Sequence, residues 1–275
     1  MSSPHLVPPT TQTPCTLAVV VASARSGSGW LLTLLNAHPQ LRFHGELFNL
    51  EHAPRAALHD PRGYLQAQLT ADRRVRVVGF KLLYHHARLA YLNDFLREMD
   101  GGRQAAVDWR CEFPRRPVRR AAAPRLAATW SMLRQGGETR IIHLRRRNLL
   151  RQALSHARLM AASRAQWAGR APRPESPVEL DARRLVQRFE RHGRAAQRID
   201  AFFRASPRLD LTYEALVADV EGECARLFAF LGVAPRPSAA PAAPRDTDLR
   251  RAIANYAAVA RALAGTRWEA LLDAR

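Results

Sequence analysis

The stretch "VVVASARSGSGWLLTLLNAHP", residues 19–39, decides the fold of this chain. Its apolar β-branched run, Val19–Val21, predicts a buried strand, and a turn of small residues follows it. After the turn, Trp30, Leu31 and Leu34 recur at helical spacing. A helix that begins at such a turn presents unpaired backbone N–H groups and the positive end of its dipole. The order strand, loop, helix therefore indicates a site for an anion.

The loop between the strand and the helix supplies two glycines, two serine hydroxyls and one cation: Arg25, Ser26, Gly27, Ser28 and Gly29. Glycine lets phosphate oxygens approach the backbone closely. A tight turn without a ligand is the alternative interpretation, and the cation and hydroxyls favour the anion. The loop is not a Walker A sequence, because Trp30 stands where that pattern places its lysine.

Similar apolar runs recur along the chain and alternate with helical patterns. Strands are predicted over 17–23, 41–48, 75–83, 140–146 and 208–213. Helices are predicted up to residue 37, over 88–99, 148–162 and 178–204, from 214 to Leu231, and in the last 30 residues. Loops are predicted over 101–125 and 163–178. This alternation predicts an α/β fold with a P-loop-like central parallel sheet flanked by helices on both faces. We expect a disordered tail over 1–16 and a single domain over 17–275.

Composition narrows the range of functions. The formal net charge is +19, which is compatible with nucleic acid or with anionic substrates. Lys81 is the single lysine beside 42 arginines spread along the chain, so a general bias explains the charge better than a nucleic-acid surface does. The three cysteines lack metal-site spacing. Without an apolar stretch of about 18 residues or a signal-peptide pattern, the sequence predicts a cytoplasmic protein with no membrane span and no metal.

The sequence "RSGSGW", residues 25–30, resembles the 5′-phosphate loop of sulfotransferases that use 3′-phosphoadenosine 5′-phosphosulfate (PAPS). The resemblance implies that the loop residues bind the 5′-phosphate of PAPS, and of its product 3′-phosphoadenosine 5′-phosphate (PAP), through Arg25, Ser26, Gly27, Ser28, Gly29 and Trp30. Gly29 departs from the family pattern, which has a hydroxyl residue there. One hydrogen bond to the phosphate is therefore expected to be missing.

Two further segments resemble the same family in the same order. "HLRRRNLLRQALS", residues 143–155, is similar to its 3′-phosphate motif, and Arg147 and Ser155 have the motif's spacing of eight residues. "LTYEALVADVEGECARLFAFLGV", residues 211–233, resembles a scaffold segment. "FHGELF" and "RQALS" are most similar to bacterial carbohydrate sulfotransferases, including the trehalose type. This implies a carbohydrate or another small hydroxyl compound as acceptor.

Sulfuryl transfer requires a base for the acceptor hydroxyl and a cation for the leaving group. The resemblance points to Glu46 as the general base, with a surface glutamate as the alternative. Lys81 ends the strand "VVGFK", and we assign it to the leaving 5′-phosphate and the sulfuryl group. Other members of the family place a histidine where this chain has Leu83. The nearby histidines, His85 and His86, and the tryptophans at 109 and 167 are candidates to line the acceptor pocket.

Two other functions remain open at the level of sequence. A P-loop-type kinase needs a Walker lysine and a Mg²⁺ ligand, and the sequence offers neither. An arginine-rich nucleic-acid-binding protein would bind polynucleotides tightly without turnover.

Overall fold

The structure, a computed structural model, describes residues 15–49, 57, 59–71, 75–84, 130, 133, 139–167, 169, 171, 176–237 and 248–273. Its strands are β1 (Thr16–Ala22), β2 (Leu41–His44), β3 (Val77–Leu83), β4 (Arg140–Arg145) and β5 (Arg208–Thr212). The longer helices are α1 (Ser28–Asn36), α2 (Pro61–Ala71), α3 (Leu149–Trp167), α4 (Ala182–Phe202), α5 (Tyr213–Ala218) and α6 (Val220–Leu231). Near the C-terminus lie α7 (Leu249–Ala252), α8 (Tyr256–Leu263) and a 3₁₀ turn, Glu269–Leu272.

The strands form one five-stranded sheet in the order β2-β3-β1-β4-β5, and every pair is parallel. The predicted α/β fold with a central parallel sheet is therefore confirmed. Because all strands run the same way, their carboxyl ends meet at one edge, where ligands of such sheets bind. The loop after β1, the end of β3 and the turn after β4 all lie at this edge.

The sheet has a packed core on each face, because side chains of a strand alternate between faces. From β1, Ala18, Val20 and Ala22 join the core under α1 and α6. Val19 and Val21 join the opposite core, which α2 and α4 cover. Both faces are buried, and this explains why β1 is a continuous apolar run rather than an alternating one. A third core joins α3 and the first half of α4 to the C-terminal helices.

Some helix boundaries differ from the sequence prediction. The helix predicted to end at residue 162 continues to Trp167, so part of the predicted 163–178 loop is helical. The segment predicted as one helix up to Leu231 is two helices, because Asp219 lies between them with φ −144° and caps α6 by accepting a hydrogen bond from Gly222 N. The predicted helix over 88–99 and the loop over 101–125 lie outside the described residues. None of the described helices is long and apolar enough to cross a membrane.

Candidate functional site

The loop after β1 has a backbone shape that opens the N-terminus of α1. Arg25 and Gly27 both have positive φ, 63° and 91°. Only glycine fits at 27, because a Cβ there would overlap the ring of Tyr213. Gly27 is the N-cap residue of α1 and offers no side-chain cap, and the first turn of the helix has no acidic residue. The start of α1 therefore has the features of the predicted anion site, and the binding of an anion there stays a prediction.

The serines of the loop have different surroundings. Ser26 is fully buried, and its hydroxyl donates to the Ser23 carbonyl oxygen over 2.8 Å. Its side chain therefore fixes the shape of the loop. Ser28 is also buried, at the first residue of α1. Gly29, by contrast, has open space where a Cβ would stand, with no atom within 4 Å.

Side chains from α3 connect the two motifs that are far apart in sequence. Gln152 Nε2 donates to Ser23 Oγ over 2.6 Å and also to the Ala24 carbonyl oxygen. Arg25 Nε donates to Ser155 Oγ over 3.0 Å. The loop predicted to hold the 5′-phosphate and the helix predicted to hold the 3′-phosphate thus form one surface.

The turn between β4 and α3 is held by the carboxylate of Glu214. This carboxylate accepts hydrogen bonds from Arg147 N and Asn148 N, each over 3.0 Å. The exposed Arg147 extends toward β5, where its Nη2 donates to Thr212 Oγ1 over 3.3 Å. Arg147 and Ser155 are therefore not in contact with each other in this structure, although the motif spacing is present. The segment identified as scaffold supplies the residue that fixes this turn.

Glu46 and Lys81 form an ion pair, with 2.8 Å between Oε1 and Nζ. Their side chains are 25% and 15% exposed, respectively, so water screens the pair only in part. Asn49 Nδ2 donates to the other carboxylate oxygen of Glu46 over 2.9 Å. Lys81 pairs with Val20 of β1 in register, close to the end of that strand. The predicted base and the predicted leaving-group cation therefore share one point near the carboxyl edge of the sheet.

A second polar cluster lies on the opposite face of the sheet. Tyr84 Oη donates to His143 Nε2 over 2.6 Å, because His143 Nδ1 faces Asp200 Oδ1 at 2.8 Å and carries the ring proton. Burial lowers the pKa of His143 despite the carboxylate beside it. His143, Asp200 and Asp210 have the spacing of a metal-binding group. Arg145 Nη2 lies between the two carboxylates, at 2.8 and 3.1 Å, and Arg208 pairs with both as well, so two cations of the protein already neutralise them.

Among the other residues predicted to line the acceptor pocket, Trp167 lies within the described residues. Trp167 ends α3 and is 90% exposed, so it does not line a formed pocket among the described residues. His85, His86 and Trp109 lie outside the described residues.

Sequence reasoning missed three residues that build this site. Gln152 ties α3 to the loop, Tyr213 packs against Gly27, and Arg146 lies with its guanidinium carbon 4.5 Å from the centre of the Tyr213 ring. Each stands inside a motif that the sequence analysis quoted, but its partner is more than a hundred residues away in the first two cases. Arg146 and Tyr213 directly follow strands and Gln152 lies in the first turn of α3, but such a position does not identify the partner of a residue.

Taken together, the parallel sheet and the helices on both of its faces define an α/β protein, with a glycine-containing loop and cations at the carboxyl edge of the sheet. Comparison with known families narrows this class. A family model described as "Sulfotransferase family" matches residues 18–237. The chain belongs to the sulfotransferase family, which makes it a transferase of sulfuryl groups.

Among solved structures, the chain is similar to a sulfotransferase from Alicyclobacillus acidocaldarius. The identity is 17%, the TM-score is 0.44, and the match covers 96% of this chain and 97% of that one. A search of curated proteins found no match.

Proposed function

We propose that this protein transfers the sulfuryl group of PAPS to a hydroxyl of a carbohydrate or another small molecule. The observation that carries the proposal is the joining of the two phosphate motifs. Gln152 and Ser155 on α3 hydrogen-bond to Ser23 and Arg25 of the loop after β1. A nucleotide with phosphates on both the 5′ and 3′ positions of one ribose requires two neighbouring anion sites of this kind. A nucleotide with one phosphate group does not.

The donor site comprises the loop residues Arg25 to Trp30 together with Arg147 and Ser155. Backbone N–H groups at the start of α1 bind the 5′-phosphate, and Ser28 adds a hydroxyl. Ser26 contributes through the shape of the loop, because its hydroxyl is committed to Ser23. PAPS is a co-substrate here, and PAP is the product that remains after transfer.

Glu46 is the general base and Lys81 stabilises the leaving group. The ion pair supports these roles because it places the carboxylate beside the cation and fixes its position. Each carboxylate oxygen has more than one lone pair, so Glu46 can accept the acceptor's proton while Lys81 and Asn49 remain in place. Transfer then moves the sulfuryl group from the 5′-phosphate oxygen to the acceptor oxygen, and the proton goes to Glu46.

The test is isothermal titration with PAP, ATP, AMP and duplex DNA, followed by a screen of carbohydrate acceptors with labelled PAPS. We expect tight binding of PAP, weaker binding of AMP and ATP, and a raised melting temperature with PAP. Equal affinity for PAP and AMP would remove the donor assignment. Preferential ATP binding with a strict need for Mg²⁺ would favour a kinase, and DNA binding without turnover would favour a nucleic-acid-binding protein. A cytoplasmic location and independence from metal stay predictions of the sequence.

A further inference from the structure

We propose that Asn49 is a positioning residue for sulfuryl transfer, and that the Glu46 oxygen it holds, Oε2, is the atom that takes the proton of the acceptor hydroxyl. The inference rests on the proposed function, because it assumes that Glu46 is the general base. Asn49 directly follows the "FHGELF" segment, and the resemblance to other sulfotransferases gives it no role.

The first argument is that the two carboxylate oxygens of Glu46 have different partners. Oε1 lies 2.8 Å from Lys81 Nζ, whereas Oε2 accepts a hydrogen bond from Asn49 Nδ2 over 2.9 Å. A proton on Oε1 would face a positive charge at contact distance, while the amide of Asn49 is neutral. A carboxylate oxygen has two lone pairs, so the hydrogen bond from Asn49 does not by itself prevent Oε2 from taking a proton. The arrangement therefore favours Oε2 as the proton acceptor.

The second argument is the turn that carries both residues. Asn49 N donates to the Glu46 carbonyl oxygen over 3.1 Å, so main chain and side chain join the same two residues. Phe48 lies inside this turn, is 1% exposed and packs edge to face against Phe80, with 5.5 Å between the ring centroids. The amide of Asn49 thus reaches Glu46 from a backbone that the core holds in place, as a positioned site requires.

The third argument is the connection of this turn to β3. Lys81 N donates to the Gly45 carbonyl oxygen over 3.0 Å, in addition to the contact between its side chain and Glu46. With Lys81 on Oε1 and Asn49 on Oε2, the carboxylate is held at both oxygens, and its plane cannot rotate without breaking one of these contacts. Asn49 fixes this orientation without adding a charge. An aspartate of the same size would repel the carboxylate instead.

The proposed step assigns every bond and proton. The acceptor O–H bond breaks, and its proton goes to Glu46 Oε2. The acceptor oxygen forms a bond to sulfur while the bond between sulfur and the 5′-phosphate oxygen breaks, and the electron pair of that bond leaves with PAP. Asn49 acts on this step only through the orientation of Glu46.

The experiment measures the release of PAP from PAPS in single turnovers of the full chain, with trehalose as acceptor and, in its absence, with water. Asn49→Ala removes the amide, and Asn49→Asp keeps its size but at neutral pH cannot donate to the carboxylate. Both are also made in the Glu46→Gln background. Gln66→Ala, which removes an exposed amide from α2, is the control. PAP titration and melting temperatures are measured for every variant.

We expect Asn49→Ala to lower the single-turnover rate about 5- to 30-fold, the effect of losing one hydrogen bond to a charged group. PAP affinity should change less than about 2-fold, because Asn49 does not act on the donor. Asn49→Asp should lose more than Asn49→Ala, and Gln66→Ala should match wild type. In the Glu46→Gln background, neither Asn49 variant should lower the rate further, because the base that Asn49 orients is already absent.

A wild-type rate in Asn49→Ala, beside a low rate in Glu46→Gln, would overturn the inference and leave the proposed function standing. A loss of the same size in the Glu46→Gln background would also overturn it, because Asn49 would then act on the fold rather than through Glu46. A Glu46→Gln protein as fast as wild type, or a wild type that releases no PAP from PAPS, would overturn both.

Discussion

At the residue scale, the main result is that Glu46 and Lys81, which we propose as base and leaving-group cation, form one ion pair. Glu46 follows strand β2 and Lys81 lies in strand β3, and the sequence assigned them to different substrates. The 2.8 Å contact between their side chains means that a change in either alters the surroundings of the other. Their proposed roles can still be tested separately. Glu46 is tested by removing its ability to accept a proton, and Lys81 is tested by changing the positive charge beside the leaving group.

Glu46→Gln keeps the shape of the side chain and removes the base. We expect kcat to fall about 10²- to 10⁴-fold, the range for lost general-base catalysis, with PAP affinity nearly unchanged. Single-turnover sulfuryl transfer beside PAP titration measures both. Asn49→Ala is the matched control, because it removes a contact to the same carboxylate and leaves the ion pair intact. Wild-type turnover in Glu46→Gln would direct attention to His85 and His86.

Lys81→Arg tests whether the leaving group needs a compact ammonium. Arginine keeps the charge but spreads it over a planar group with a different reach. We expect a folded protein that binds PAP and has a low kcat, whereas Lys81→Ala should lose both kcat and some PAP affinity. Single-turnover sulfuryl transfer measures the rate of these variants, and PAP titration measures their affinity. If Lys81→Arg reaches the wild-type rate, positive charge alone suffices at this position.

Gly27 and Gly29 are expected to respond in opposite ways to substitution. Gly29 has open space around it, so Gly29→Ser can add the hydroxyl that the family pattern places there, and we expect PAP affinity to rise about 3- to 10-fold. Gly29→Ala separates this effect from helix propensity, because it adds a Cβ without a hydroxyl. Gly27→Ala should lower the melting temperature, because of its φ of 91° and the adjacent Tyr213 ring. Weaker PAP binding by Gly29→Ser would contradict the first expectation.

At the element scale, the N-terminus of α3 depends on a residue from another element. Glu214, in the first turn of α5, accepts hydrogen bonds from the backbone of Arg147 and Asn148. A carboxylate next to a helix N-terminus is also favoured by the helix dipole. The turn that carries Arg147 is thereby held against the end of β5, so the position of Arg147 depends on Glu214.

Glu214→Gln is expected to lower the free energy of unfolding by about 1–2 kcal/mol, because the amide offers one acceptor oxygen in place of two and loses the charge. Urea denaturation measures the change, and PAP titration of the same variant should show weaker binding. Glu221→Gln, an exposed glutamate in the first turn of α6, makes the same charge change elsewhere and should be nearly neutral. Unchanged stability in Glu214→Gln would mean that the turn is held without this carboxylate.

At the scale of the whole molecule, the sheet separates two groups of polar residues, one around Lys81 and one around His143. Side chains alternate along β3, so Lys81 lies on the α1 face while Tyr84 packs in the core under α4. In β4, His143 is likewise on the α4 face, where it bonds Asp200. The donor-side residues and this buried network therefore do not share groups. The sheet thus keeps this network apart from the loop surface that we propose binds the donor.

The buried histidines make stability depend on pH. Burial, together with the nearby Arg188, lowers the pKa of His192 to about 4, and burial also lowers the pKa of His143. In the unfolded chain, histidine titrates near pH 6.5 and therefore binds protons that the folded state rejects. Stability contributed by His192 is fully present above about pH 6.5 and is lost as the pH falls toward about 4, by up to about 3 kcal/mol.

Urea denaturation at a series of pH values between these limits measures this dependence. Glutamine does not titrate, so His192→Gln should remove the part of this pH dependence of the free energy of unfolding that His192 contributes. A free energy of unfolding that stays constant over this range in the wild type would contradict the assignment.

Most of the fold could be predicted from the sequence, and a smaller part of the site. The alternation of apolar, β-branched runs with helical patterns predicted a parallel sheet, because parallel strands are connected through helices on the faces of the sheet. The break at Asp219 was missed, since an aspartate can either interrupt a helix or cap the next one. For the site, the loop residues and the end of β3 were placed at the correct edge. The roles proposed for Glu46 and Lys81 stay predictions that kinetics must test.

What the sequence by itself determined is the order of elements and the place of the glycine-containing loop after β1. The order of a strand, a glycine-containing loop and a helix determines where backbone N–H groups are exposed, because each of these elements is formed by residues close together in the sequence. Only the tertiary structure decided which side chains meet. Arg25 contacts Ser155 across 130 positions, and Glu46 contacts Lys81 across adjacent strands, because the parallel sheet brings distant carboxyl ends to one edge. Such contacts depend on strand order and on which face each residue occupies, and neither is encoded in local spacing.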